Sequence, residues 1–289
     1  MPEDFLRAQG ETLLFATFFA TLALLAVLET RAAMRVDGAR RKQRWPANFA
    51  LTALNIAVMG ALPLSQLAMA DLARDQGLGL LNQRPSGPLL GLIVTFLAFS
   101  LQSWAVHLAM HKLPVLWRVH RVHHTDTHLD ISTTVRFHPV EFVIQMPISA
   151  AVVLALGAPP TAVILYGIFD ALVNAFSHAN LRLPAGLERF LGRFIVTPHL
   201  HRVHHSPVWP ETDSNFGATL PIWDRLFGTY RAKSPEALAE QGIGLTEMQD
   251  SRAWSLWWML SLPFRPILRN AGQRSRKSLD ATTDLRVDP

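Results

Sequence analysis

The sequence contains no cysteine and is poor in charge, and each shortage removes a class of protein. Without cysteine no disulfide can form and no thiolate can bind a metal, so any metal must be held by nitrogen and oxygen. Charged residues make up 17% of the 289 residues against 49% hydrophobic ones, a balance that leans away from an ordinary soluble domain. A chain of this length suggests one large domain or two small ones. The net charge is +5, which could point to nucleic acid. The basic residues, however, cluster beside apolar runs instead of alternating with stacking aromatics, so they read as a membrane-topology signal and no nucleic-acid partner is expected.

Residues 12–30 are almost continuously apolar over a bilayer-spanning length. A secretory signal would carry its positive charge in front. Here Glu3, Asp4 and Glu11 face a single Arg7, while Arg31, Arg35, Arg40, Arg41, Lys42 and Arg44 follow. That flank pattern predicts a membrane helix whose C-terminal end is cytoplasmic. A second apolar run over 49–70, interrupted by Asn55 and Pro63, is expected to return to the far side. A charge-poor loop at 71–87 should lie outside, and a third run over 88–106 crosses back to deliver His107 and His111. After a break at 136–139 come two shorter apolar segments, 140–156 and 161–176, separated by Gly-Ala-Pro-Pro at 157–160. They predict a hairpin that enters and leaves from one side. Its second arm carries Asp170, Asn174 and His178 at four-residue steps. Such a polar stripe either faces a functional interior or makes hydrogen bonds between helices.

Residues 181–250 read as a cytosolic cap of short helices and loops. Trp254, Trp257 and Trp258, followed by Arg265 and Arg269, suggest an interfacial helix, with a further core helix as the alternative. The polar tail 272–289 is expected to be disordered. The division is therefore 1–87 for the N-terminal membrane helices and basic loop, 88–232 for a catalytic domain, 233–271 for a cytosolic or interfacial segment, and 272–289 for the tail. The fold class is an all-α integral membrane protein, with about four to five transmembrane or hairpin helices and a cytosolic helical cap bearing a histidine-rich dimetal site.

All twelve histidines lie between His107 and His205. They form His107-Leu-Ala-Met-His111, His120-Arg-Val-His123-His124 and His201-Arg-Val-His204-His205. Residues three and four apart share a helix face, so each group aims its rings at one point. Scattered core or surface histidines would not repeat His-x-x-His-His. A structural zinc needs four ligands and a catalytic zinc about three plus water. The three groups supply eight, and His178 makes nine, enough for two metals. Imidazole suits iron, copper, nickel or zinc. A metal transporter would carry its histidines on broken helices near the bilayer midplane, not at helix ends. A zinc protease would need a glutamate beside the first histidine, and residues 108–110 are Leu, Ala and Met.

The chain resembles the sterol desaturase / fatty acid hydroxylase superfamily, with its HxxxH, HxxHH and HxxHH pattern. The likeness covers about residues 90–232. It includes Leu-Trp-Arg-Val-His-Arg-Val-His-His at 116–124, Arg-Phe-His-Pro-Val-Glu at 136–141, Thr-Pro at 197–198 and His-Arg-Val-His-His-Ser at 201–206. Asp-Ser-Asn-Phe-Gly at 213–217 and Trp-Asp-Arg-Leu-Phe-Gly-Thr-Tyr at 223–230 complete it. Leu108 departs from the arginine of many relatives. The resemblance implies two iron ions held by His107, His111, His120, His123, His124, His178, His201, His204 and His205, with Asn174 and His138 as further candidates. It also implies dioxygen as cosubstrate and hydroxylation or desaturation of a fatty acyl chain, sterol or related lipid. No Gly-x-Gly-x-x-Gly fingerprint or haem attachment motif is present. Electrons would therefore come from a separate donor, a cytochrome b5-like protein, ferredoxin or reductase, on the cytoplasmic face. His128 and His199 fall outside the ligand spacing; His128 reads as a surface residue.

Overall fold

Proline sets where many of the helices begin. The computed structural model describes residues 2–35, 40–84 and 87–266, which contain helices and a single isolated β-bridge, Ala33 to Leu181. In chain order the helices are α1 Pro2–Ala32, α2 Arg41–Ala61, α3 Gln66–Asp75, α4 Leu80–Gln83, α5 Pro88–Lys112, α6 Pro114–His124 and α7 Pro139–Leu156. There follow α8 Pro160–His178, α9 Ala185–Leu191, α10 Pro198–His204, α11 Ile222–Leu226, α12 Pro235–Glu240 and α13 Leu256–Ser261. Helices α5, α6, α7, α8 and α10 all start on proline, where its missing N–H is no loss and its fixed φ suits the first turn. Leu113, held extended before Pro114, breaks the chain between α5 and α6 after a single residue.

Five helical segments are long and apolar enough to cross a membrane: Phe5–Ala32, Arg41–Gln83, Pro88–Lys112, Pro139–Leu156 and Pro160–His178. Their outward side chains are apolar, with Leu24 60% and Leu89 70% exposed, a surface that suits lipid and not water. The second segment, expected as one run over 49–70 interrupted by Asn55 and Pro63, is two helices broken at Pro63. Helix α2 ends at Ala61, Leu62 is extended before Pro63, and α3 restarts behind a Ser65 cap. The stretch 71–87, expected as a loop, is largely helical to Gln83. The reason is packing: Ala70 and Ala73 are fully buried, and Ala70 joins Phe99, Val153, Ala158, Val163 and Tyr166 in one core. Two glycines allow the corners to meet. A Cβ on Gly79 (φ 87°) would lie 2.1 Å from the Gly157 nitrogen, and Gly157 (φ 65°) is itself the left-handed cap between α7 and α8.

Helix α1 packs along α8, burying Leu22 and Leu25 against Ile131, Val135, Ala175 and Ala179. A third core joins α2, α6 and the segment after residue 243 through Leu51, Val122, Met248, Met259 and Leu262. The tryptophan segment at 254–264 combines the two alternatives for it: Met259 and Leu262 are buried, whereas Trp257 and Phe264 are each 80% exposed. Arg269 and the tail 272–289 lie outside the described residues, as do residues 36–39 of the basic stretch.

Candidate metal centre

Four helices bring the histidines together. The last turns of α5 carry His107 and His111, α6 carries His120, His123 and His124, and α8 ends on His178. Helix α10 carries His201 and His204, with His205 at its C-cap. The nine rings fall into two groups. His107, His111, His120, His124 and His204 form one; His123, His178, His201 and His205 form the other. Within each group one nitrogen per ring lies within 4.8 Å of all the others. The (i, i+3, i+4) spacing explains the split: on α6, His120 and His124 face one group and His123 the other, and α10 divides its residues in the same way.

The outer nitrogens are held from behind. Nδ1 of His107 donates to the Phe216 carbonyl (2.8 Å), Nδ1 of His120 to Oε1 of Glu141 (3.0 Å) and Nδ1 of His204 to the Ser214 carbonyl (2.7 Å). Nδ1 of His178 donates to the Asn174 carbonyl at 2.8 Å. Each such bond fixes the tautomer and leaves a lone pair at Nε2. His107 and His120 then point Nε2 lone pairs at each other across 3.0 Å. Lone pairs so placed repel one another unless a proton or a metal ion lies between them. In the second group Nε2 of His178 lies 3.2 Å from Nε2 of His123 and 2.9 Å from that of His201. Nε2 of His111, His124 and His204 is buried without any hydrogen-bond partner. Buried donors and acceptors are ordinarily paired, so this concentration of orphaned nitrogens fits residues that can hold metal.

The electrostatics agree. Burial first, and the neighbouring rings second, push His123, His124, His201 and His205 well below the ordinary imidazole range. Burial drives His204 down to about 3 despite its bond to the Ser214 carbonyl. These rings are neutral at neutral pH, the form that binds a metal ion.

The other sequence candidates lie elsewhere. His138 caps α7: its Nδ1 accepts from the Val140 N–H (3.2 Å) and its Nε2 donates to the Leu260 carbonyl (3.2 Å), so both nitrogens are used. Asn174 turns its side-chain amide to the Asp170 carbonyl (3.0 Å) and meets the site through its backbone oxygen alone. Neither belongs to either histidine group. His199 donates to the Lys233 carbonyl (3.0 Å), and half-buried His128 contacts Thr127 and Arg40.

Several supporting residues carry no signature at helical spacing. Glu141 is one. Asp224 is another: it accepts from the Phe216 and Gly217 amides (2.8 Å each), Trp104 Nε1 (3.0 Å) and Thr229 (2.6 Å), fixing the turn that presents the Phe216 carbonyl to His107. Gly217 is required there, since a Cβ would lie 2.6 Å from the Leu220 oxygen. Asn215 (φ 52°) ties the Leu200 carbonyl of α10 to Arg231. Below α6, fully buried Arg44 grips Asp126 with two bonds (2.6 and 2.9 Å) and reaches Asp130 (2.9 Å). Burial opposes ionisation of Asp126, but Arg44 and Arg136 outweigh it and hold the carboxyl below its usual range. Arg136 also caps α6 at the Val122 carbonyl (3.0 Å). The run of basic residues after α1, which reads as a topology signal, thus contributes a buried structural cation that sequence alone does not distinguish.

Residues 92–229 match the fatty acid hydroxylase family. The ornithine lipid hydroxylase OlsE of Rhizobium tropici is 32% identical over 143 residues, 50% of this chain and 42% of that protein. Alkylglycerol monooxygenase of Danio rerio is 31% identical over 150 residues, 50% of this chain and 31% of that protein. A cholesterol 25-hydroxylase-like protein of the same fish is 30% identical over 142 residues, covering 48% and 54%. This chain spans less than half the length of the first two. No solved structure matches. The segment that matches this family, residues 92–229, contains all nine grouped histidines together with Glu141, Asn215 and Asp224.

Proposed function

We propose that the chain is a membrane-bound non-haem di-iron oxygenase that uses dioxygen to hydroxylate, or to desaturate, a lipid. The observation that carries this reading is the sorting of nine histidines into a group of five and a group of four, at the ends of helices apolar enough to span a bilayer. In this reading His107, His111, His120, His124 and His204 hold one iron, and His123, His178, His201 and His205 the other. Imidazole-only sites with open positions suit non-haem iron, and the metal supplies the activation of dioxygen. The protein's part is to keep the rings neutral, to aim their nitrogens through Glu141 and the carbonyls of residues 174, 214 and 216, and to shield the site from water. The relatives' names refer to three different lipids, which supports a lipidic substrate in general, a fatty acyl chain or sterol included. An external donor, a cytochrome b5-like protein, ferredoxin or reductase, delivers the electrons at the cytoplasmic face, and 88–232 acts as the catalytic domain.

Expressed with a competent electron donor, the protein should yield a host lipid heavier by one oxygen atom or lighter by two hydrogens. Under labelled dioxygen a hydroxyl product should carry the label, and His124→Ala should abolish it while the protein stays in the membrane. A product made equally by that variant, or oxygen drawn from water, would defeat the reading. For the cytoplasmic face, single cysteines at Ala39 and Leu80 should react with an impermeant maleimide from opposite sides; labelling of both from one side overturns that assignment.

A further inference from the structure

Apart from the histidine groups, the molecule holds a cavity of about 320 Å³ that they do not line. That is within the size range of small-ligand sites. Its walls carry four arginines, Arg35, Arg40, Arg41 and Arg202, and a single acid, Asp130. The acid is already engaged, since it accepts from Arg44 at 2.9 Å and from Trp45 Nε1 at 3.1 Å. Arg41 is satisfied by Glu29 at 2.6 Å. Among the described residues no carboxylate forms an ion pair with Arg35, Arg40 or Arg202. Arg202 is 1% exposed; its Nη2 reaches the Asn180 side-chain oxygen at 3.1 Å, while its Nε is buried with no partner at all. Glu29 and Asp130 act on Arg202 only from a distance, and a buried guanidinium without a direct ion pair is costly to fold. Arg202 lines the cavity beside Arg35, which donates to the Gln241 carbonyl, and Arg40, which contacts His128; neither partner carries a negative charge, so an anion from outside would relieve all three.

We propose that this cavity binds a phosphate-type oxyanion, either free inorganic phosphate or the phosphate of an anionic phospholipid headgroup. Guanidinium forks match the paired oxygens of phosphate, and several of them together supply charge-assisted bonds on more than one side. The position favours the level of headgroups. Arg35 lies three residues beyond the apolar helix α1, and the Ala33–Leu181 bridge fastens that exit beside the end of α8. Cationic pockets at this depth recognise anionic lipids. Arg202 lies on α10 between His201 and His204, so the anion would also brace the helix that serves both histidine groups.

The test uses the full chain in detergent micelles, read by melting temperature and native mass spectrometry. Inorganic phosphate is titrated against sodium chloride at matched ionic strength, and phosphatidylglycerol against phosphatidylcholine in mixed micelles. Phosphate or phosphatidylglycerol should raise the melting temperature and appear as a bound adduct, whereas chloride and phosphatidylcholine should not. A response to both points to a site for the phosphate group itself, and a response to phosphatidylglycerol alone points to the headgroup. Arg40→Glu, at an exposed residue that the unliganded fold can spare, and Arg35→Gln should each weaken binding by about tenfold or more. Arg118→Gln, outside the cavity, should leave it unchanged. Equal stabilisation by chloride, no response to either ligand, or unaltered midpoints in both cavity variants would overturn the proposal.

Discussion

The two histidine groups are supported differently. In the group of five, three rings are held from behind by acceptors on other segments: His107 by the Phe216 carbonyl, His120 by Glu141, His204 by the Ser214 carbonyl. In the group of four only His178 has such an anchor, the Asn174 carbonyl of its own helix, while Nδ1 of His123, His201 and His205 is buried and unpartnered. Packing replaces hydrogen bonding there. His123 lies flat on Phe137, with centroids 4.4 Å apart and planes 8° off parallel, and His205 stacks on His124 at 4.7 Å. Hydrogen bonds behind a ligand raise its basicity and fix its tautomer, whereas a stacked ring keeps freedom at its far nitrogen. The group of five should therefore hold its ion more tightly than the group of four.

The largest test of this contrast empties one group at a time. The purified, iron-replete protein should contain about two irons per chain, since nine imidazoles exceed what one ion uses. His120→Ala and His201→Ala should each reduce the content to about one and abolish turnover, while His128→Ala retains both. A single iron in the unaltered protein, measured by elemental analysis, would remove the comparison. Next in size is Arg44→Met, which strands Asp126 and Asp130 beneath the helix that feeds both groups. It should cost about 3–5 kcal/mol, visible as a large fall in melting temperature that affects both groups alike.

Glu141→Gln separates the groups instead. Loss of the carboxylate behind His120 should weaken metal binding about 10–100-fold in the group of five alone, read by competition with a chelator. The pH response of metal-free protein is smaller. His123, His124, His201, His204 and His205 all have folded pKa values below the unfolded value of about 6.5. The unfolded chain then binds more protons as pH falls, so stability is complete above about 6.5 and declines below it, continuing to about 3 for His204. Melting temperatures over that window should fall with acidity, and a flat profile would contradict the burial of these rings. The smallest effect belongs to His138→Ala, which should cost about 1 kcal/mol through the lost α7 cap and leave metal content unchanged.

Much of this arrangement is legible in the sequence because it follows helical spacing. His-x-x-His-His announces clustered rings, though not one point of aim, since each copy divides between the two groups; apolar runs announce the long helices, and prolines announce their starts. Residues that work from loops or through backbone oxygens give no such signal. Glu141 sits in an apolar helix, and its one signal, a place in the Arg-Phe-His-Pro-Val-Glu segment, assigns it no role. The supports at residues 214 and 216 are carbonyls, for which residue identity says little; the signals present were Asp224, Asn215 and Gly217, whose roles depend on a turn that only the folded chain shows. Arg44 looks like its basic neighbours until Asp126 and Asp130 arrive from more than eighty residues away. Asn174 spaced one turn before His178 has the right periodicity, yet its amide turns to the Asp170 carbonyl.

Helix α10 is only seven residues long, Pro198–His204, yet with its C-cap it gives His204 to one group and His201 and His205 to the other. A part so short moves as one piece. An ion entering the group of five positions the helix that the group of four also needs, so part of the ordering entropy of the second event is spent in the first. Loading should then be cooperative, with a titration curve steeper than two independent sites would give. The anchored group should then fill first and recruit its neighbour through this shared strut.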